Sequence, residues 1–225
     1  MAGPASAVGL TTGRNRTLST VEATCWSDYL CPWCYVGQQR DAVFATLGVT
    51  VVHRPYELHP EIGSAGRPVR PDGRLRPTFE RIEAECASLG MPFRRPIRMP
   101  NTRRALATAE WVRVHHPEAF ASVHRSLFGA QFVTGDPLDS PAVVDAIVAA
   151  AGAPTRSVRV AVDDGRAAPL VEASMAEARR AGVAATPSWL LGDLVVPGAL
   201  DPTTLARWVG KVVSRHAGTN PAVDP

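Results

Sequence analysis

Apolar positions change their period several times along the chain, and each change marks an element. Residues 18–27 (LSTVEATCWS) are rich in β-branched and apolar types and end in polar turn residues, which predicts a buried strand. From Pro32 the run PWCYVGQQRDAVFATLG is long enough for four helical turns, with Pro32 suited to the first helical position and Gly48 to the C-terminal cap. Residues 49–57 (VTVVHRPYE) then read as a second strand. Strand, helix, strand at this length predicts a βαβ unit with a parallel pair.

Residues 59–77 carry Pro and Gly too densely for regular structure and suggest a boundary. Helical spacing follows. Phe79, Ile82, Cys86 and Leu89 share one face of a helix that should stop at Gly90, and Asn101 is placed to cap a helix striped by Leu106, Ala109 and Val112. Further helices are predicted from Pro117, from Ser140-Pro141, over 155–166 and over 168–181. Near the end, SWLLG and DLVVPG flank Gly192-Asp193, a pair suited to a hairpin turn, and Asp201-Pro202 opens a last helix on Leu205, Trp208, Val209 and Val212. The organisation expected is a flexible segment 1–17, a first α/β part 18–77, an all-helical insertion 78–165, a second α/β part 166–216 and a frayed tail 217–225.

At 225 residues, 45% hydrophobic and 20% charged, the chain has the balance of an ordinary globular protein. The net charge of +3 is small and almost all of the basic side is arginine, so no nucleic-acid partner is expected. No apolar run is long enough to span a membrane, and the N-terminus lacks the pattern of a secretory signal, so a cytoplasmic address is expected. Four cysteines are too few for a disulfide scaffold in a chain of this length, and any bridge here is expected to cycle.

Two of those cysteines stand in C-P-W-C, Cys31 to Cys34, between the first predicted strand and helix. The thiolate is the nucleophile in disulfide exchange, so a working site must lower one pKa and keep that sulfur accessible. Cys31 just before a helical turn meets unpaired N–H groups and the helix dipole, and Cys34 lies about one turn on, within bridging reach. Pro32 stiffens the turn and Trp33 offers a flat apolar surface beside the sulfur, which makes both candidate substrate contacts. The same spacing is half of a structural zinc site, but Cys25 and Cys86 do not supply a second C-x-x-C and no H-x-x-x-H follows, so no metal is expected. Two inert buried cysteines remain the plain alternative.

Far along the chain, GVAATPS brings Pro187 into the loop before a strand, since proline cannot donate to a sheet ladder. With this block the sequence resembles the thioredoxin-fold oxidoreductases of the DsbA family, in particular their FrnE-like, mostly cytosolic branch. The resemblance covers about residues 20–213 and is carried by SDYLCPWCYVG, RPYELHPEIGSAG, PNTRRALATAEW and GVAATPSWLLGDLVVPGA. It implies an α/β, thioredoxin-like fold with a large helical insertion. It further implies Cys31 as exposed nucleophile, Cys34 as resolving cysteine, and Thr186-Pro187 as a cis-proline loop that holds an extended substrate beside Cys31. Related 2-hydroxychromene-2-carboxylate isomerases and kappa-class glutathione transferases share the architecture but carry serine where this chain has Cys31.

Other residues are weaker candidates. Asp28 could modulate the pKa of the pair or relay a proton to Cys34, or simply satisfy backbone in the turn. Cys25 and Cys86 read as small core residues, His53 and His59 as structural unless one faces Cys31, and the five arginines of RRPIRMPNTRR as a solvated face or a receptor for anionic groups. The activity expected is dithiol–disulfide exchange on protein or small-molecule disulfides, with no cofactor beyond the two sulfurs, glutathione as a candidate co-substrate and a homodimer allowed. Alternatives are a glutathione-linked isomerase or reductase of an aromatic metabolite, and a chaperone-like binding protein without turnover.

Overall fold

The structure, a computed structural model, describes residues 21–70 and 72–218. The expectations for 1–17 and for the beginning of the first strand lie outside the described residues. Strand β1 (Val21–Ser27) leads through a tight turn into helix α1 (Pro32–Gly37), a 3₁₀ turn (Gln38–Arg40) and helix α2 (Asp41–Thr46), and β2 (Val49–Pro55) returns parallel to β1. Gly48 sits between α2 and β2 at φ 72°, where a left-handed residue ends the helix. The single four-turn helix expected from Pro32 is therefore broken. Its break coincides with Arg40, which is 1% exposed and turns inward to donate to the Leu200 carbonyl at 2.7 Å and to Glu85 at 2.6 Å.

Strand β3 (Arg67–Pro68) pairs antiparallel with β4 (Arg98–Met99), a two-residue ribbon lying partly inside the segment expected to be helical throughout. Around it run α3 (Arg76–Ser88), α4 (Arg103–His115), α5 (Pro117–Gly129) with a π-turn (Ala130–Thr134), α6 (Pro141–Ala150), α7 (Thr155–Asp163) and α8 (Ala168–Arg180). The N-cap of α4 is Thr102 rather than the expected Asn101, which lies one residue earlier and accepts on Oδ1 from the Arg103 N–H at 3.1 Å. The hairpin of β5 (Ser188–Leu191) and β6 (Leu194–Pro197) follows, then α9 (Pro202–Gly218), which enters the first two residues of the stretch expected to fray; the rest of that stretch, 219–225, lies outside the described residues. The sheet order is β2-β1-β5-β6, with β5 antiparallel to β1.

Alternation along β1 and β5 divides the core. Ala23, Cys25, Trp189 and Leu191 pack with Phe44, Val49, Leu205 and Val209 against α2 and α9. Trp26 packs with Ala178 and Val183 beside α8. A third cluster joins the motif itself to the helical block: Tyr29, Cys31, Cys34 and Tyr35 are buried with Phe79, Ile82, Leu106, Val123 and Phe128. The C-P-W-C turn thus lies where the sheet meets the insertion. Among the described residues no helix is long and apolar enough to cross a membrane.

Candidate active site

The turn between β1 and α1 fixes Cys31 by its backbone. Its N–H donates to the Asp28 carbonyl at 3.0 Å, and its own carbonyl accepts from the N–H groups of Cys34 at 3.0 Å and Tyr35 at 3.2 Å. Cys31 is the N-cap of α1, with φ −87° and ψ 112°, and Pro32 occupies the first turn where no N–H is needed. All four cysteines are free thiols.

The two sulfurs of the motif titrate in opposite directions. The Cys34 thiol, donating to Cys31, is the main influence that lowers the Cys31 pKa. Burial opposes it, while the Thr186 hydroxyl and the Cys34 N–H add to it and the Asp28 charge works weakly against it. Burial pushes Cys34 well above the usual thiol range, helped by its hydrogen bond to Cys31 and by the charge there. Deprotonation therefore falls on Cys31, and Cys34 keeps its proton.

Thr186 reaches this pair from 155 residues away. Its peptide bond to Pro187 is cis, and its carbonyl accepts from the Cys31 thiol at 3.4 Å. The Thr186 hydroxyl is buried with no hydrogen-bond partner among the described residues, and its nearness lowers the pKa of both sulfurs. Neighbouring bonds hold the loop: the Gly198 N–H donates to the Pro187 carbonyl at 2.7 Å and the Ser188 hydroxyl to the Ala185 carbonyl at 2.7 Å. Helix α1 lies directly against it, for a Cβ on Gly37 would stand 3.3 Å from Pro187 Cγ.

Asp28 is fully buried. Its carboxylate accepts from the N–H groups of Leu58 at 2.8 Å and Leu30 at 3.3 Å and from the Thr102 side chain, yet burial still raises its pKa from 3.8 to about 6. It braces the turn against the segment after β2 and the start of α4, and its charge disfavours the Cys31 thiolate. Trp33 is half-buried, and the Arg81 guanidinium of α3 lies 5.5 Å above its ring.

Several expectations change. Cys31 is only 6% exposed, because it is packed in the cluster that joins motif and insertion, rather than standing open to solvent. Neither histidine considered as a thiolate partner serves that role: His53 binds Asp41 at 2.8 Å and stacks beside Phe120 and His124, and His59 binds Glu61 at 2.8 Å. Each of the five arginines at 94–104 is occupied, Arg94 by the Thr134 carbonyl, Arg95 by Glu83, Arg98 by Asp139, Arg103 by Glu57 and Arg104 by Asp163. Cys25 and Cys86 are buried core residues; burial lifts Cys25 well above the ordinary range and Cys86 to about 11. Sequence reading missed Thr102 and Arg81, whose only local signals are a helix start and a charged helix position. Among the described residues no group of three or more His, Cys, Asp or Glu side chains could hold a metal ion.

The architecture recurs among solved structures. A "probable DsbA oxidoreductase" from Streptomyces coelicolor superposes with a TM-score of 0.75 at 22% identity, covering 91% of this chain and 93% of that one. A 2-hydroxychromene-2-carboxylate isomerase superposes at 0.69 and 18% identity, over 89% of this chain and 100% of the other. The cytosolic disulfide reductase DsbM from Pseudomonas aeruginosa, solved with glutathione, gives 0.62 and 18% identity over 88% and 98%. At such identities the likeness is one of fold. Among curated proteins none matches the sequence. The family model of the DSBA-like thioredoxin domain matches residues 22–210, from the second residue of β1 to the middle of α9, and so spans the C-P-W-C turn, the helical block and the cis-proline loop alike. The chain belongs to the DSBA-like thioredoxin domain family.

Proposed function

We propose that the protein is a dithiol–disulfide oxidoreductase that works through Cys31 and Cys34 on protein or small-molecule disulfides. The observation that carries this reading is the placement of Cys31 at the start of α1, 3.4 Å from the Thr186 carbonyl of the cis-proline loop, with the Cys34 thiol beside it favouring its thiolate. In the reducing direction the Cys31 thiolate attacks one sulfur of a substrate disulfide, forming a mixed disulfide and expelling the other sulfur as thiolate. Cys34 then loses its proton and attacks Cys31, releasing the second substrate thiolate and leaving a Cys31–Cys34 disulfide. Two electrons pass to the substrate, and two equivalents of an external thiol, with glutathione as the candidate, restore the dithiol.

Thr186, Pro187, Pro32 and Trp33 would line the path of the incoming substrate, the Thr186 backbone pairing with an extended segment that carries the disulfide. No organic cofactor or metal is needed for these steps. A cytosolic site of action is part of the proposal, and there the reducing direction is the one that thiol pools favour.

The test is insulin reduction by dithiothreitol. Wild type should accelerate it, Cys31→Ser should abolish the acceleration, and Cys34→Ser should accumulate a mixed disulfide at Cys31. Wild type that gives no acceleration with insulin or with a small disulfide, although Cys31 is alkylated readily, would sink the proposal.

A further inference from the structure

A second concavity, of about 680 Å³, opens between residues 38–41, β2, the end of α3 and α5. Neither cysteine of the motif lines it, nor do Trp33, Thr186 or Pro187. The volume is that of a small-molecule site. Tyr35, Val51, Met91 and Phe120 give it apolar and aromatic walls, and its polar groups are Gln38, Gln39, Asp41, His53, His124 and Arg125.

The hydrogen bonds around Asp41, His53 and His124 fix what each offers. His53 Nε2 lies 2.8 Å from Asp41 Oδ2. A carboxylate only accepts, so His53 carries a proton on Nε2, and in the neutral ring Nδ1 is the acceptor. The Tyr29 hydroxyl lies 2.9 Å from His124 Nδ1 and is buried with no other partner among the described residues. A buried phenol must donate, so Nδ1 accepts and His124 carries its proton on Nε2. Burial holds the His124 pKa well below its ordinary value, which keeps that imidazole neutral. The two rings stand 4.4 Å apart between centroids, and Phe120 stacks on His124 at 5.3 Å.

His53 Nδ1, His124 Nε2 and Asp41 Oδ1 are all buried, and none has a hydrogen-bond partner among the described residues. His124 itself is only 6% exposed. Buried polar atoms in folded proteins are nearly always paired, and these belong to side chains that line a cleft with room for a ring. We propose that the cleft is a second binding site, for a small uncharged hydroxylated aromatic whose hydroxyl donates to His53 Nδ1 and accepts from His124 Nε2 while its ring lies on Phe120. A hydroxyl combines both roles in one atom. A carboxylate could only accept, so even with Arg125 in the lining to meet its charge it would leave His53 Nδ1 without a donor, and an unsubstituted ring would leave both nitrogens unpaired.

The test is ¹⁹F NMR titration of the full chain with 4-fluorophenol, with fluorobenzene and 4-fluorobenzoate as comparators. Saturable binding of the phenol, about tenfold or more tighter than fluorobenzene, is expected. His124→Phe, which keeps an aromatic ring among Phe120 and Phe128, should reduce the phenol to the affinity of fluorobenzene. Cys31→Ser should bind it as wild type does, separating this cleft from the thiol site. Should His124→Phe fail to fold, the ¹⁵N imidazole signals of His53 and His124 in wild type serve instead, and both must move on addition of the phenol. Absence of saturable binding, equal affinity for fluorobenzene, preference for the benzoate, unmoved imidazole signals, or loss of binding in Cys31→Ser would each overturn the assignment.

Discussion

Replacing Cys34 with alanine removes the strongest influence that makes Cys31 acidic and leaves its other donors, the Thr186 hydroxyl and the N–H of residue 34, in place. A hydrogen bond to a charged group is worth about 1.5–3 kcal/mol, and one pKa unit corresponds to about 1.4 kcal/mol, so the Cys31 pKa should rise by about 1 to 2. Burial works in the same direction, since a sulfur that is 6% exposed recovers little from solvent when a donor is lost. Cys34→Ser, which retains a hydroxyl, should fall between alanine and wild type. Each unit of rise lowers the thiolate fraction up to about tenfold, while the intrinsic nucleophilicity gained recovers less than half of that on a logarithmic scale. The assay is alkylation by iodoacetamide across pH, read at the Cys31 peptide by mass spectrometry. Cys25 and Cys86 then cannot contribute, and both are in any case buried thiols held above the ordinary range. If Cys31 titrates at the same pH in wild type and in Cys34→Ala, the neighbouring thiol is not what activates it and the reasoning fails.

Asp28→Asn tests the buried carboxyl through stability. A folded-state pKa of about 6 against 3.8 means that the native protein favours the protonated acid, a contribution fully present below about pH 4 and lost as pH rises through about 6. That gap, at about 1.4 kcal/mol per pKa unit, makes about 3 kcal/mol, so the difference in urea-unfolding free energy between Asp28→Asn and wild type should shift by about that much in favour of the variant from pH 4 to pH 7. A difference that stays constant over that range counts against the burial argument. Thr186→Val deletes a buried hydroxyl that has no hydrogen-bond partner among the described residues and lowers the Cys31 pKa, so that pKa should rise by up to about 1 with no loss of melting temperature. A clear drop in melting temperature with Cys31 unchanged would assign that hydroxyl a structural duty instead.

What was legible in the sequence is what local chemistry dictates. The parallel β1–β2 pair, the Gly192-Asp193 hairpin and the placement of Cys31 at a strand-to-helix turn follow from period and punctuation within a dozen residues. The cis peptide at Thr186-Pro187 followed only from the family resemblance. What stayed hidden was tertiary. Arginine at position 40 reads as a solvated helix residue, yet it is buried by a carbonyl 160 residues away, and the helix breaks around it. The arginines at 94–104 looked like one basic face because their carboxylate and carbonyl partners come from separate elements, Glu57, Glu83, Asp139 and Asp163 among them. His53 has the right residue type for a thiolate partner, but the register that sets it beside Cys25 on β1 also directs it to Asp41 and His124.

The influences on Cys34 give the pair an order of events as well as an asymmetry. Apart from burial, what raises the Cys34 pKa is its hydrogen bond to Cys31 and the negative charge there; what lowers it is the Thr186 hydroxyl and the Asp28 N–H. In the resting dithiol burial and the first pair together prevail, so Cys34 holds its proton and lends it to the Cys31 thiolate. Once Cys31 is tied into a mixed disulfide it carries no charge and no longer needs that proton. Both of those raising influences then vanish together, while the two lowering donors, fixed by the backbone of the turn and by the cis-proline loop, remain. On the proposed mechanism Cys34 thus becomes more acidic at the step in which it must attack, even though its burial, the largest influence on it, persists, and part of its restraint at rest is the reactivity of its neighbour.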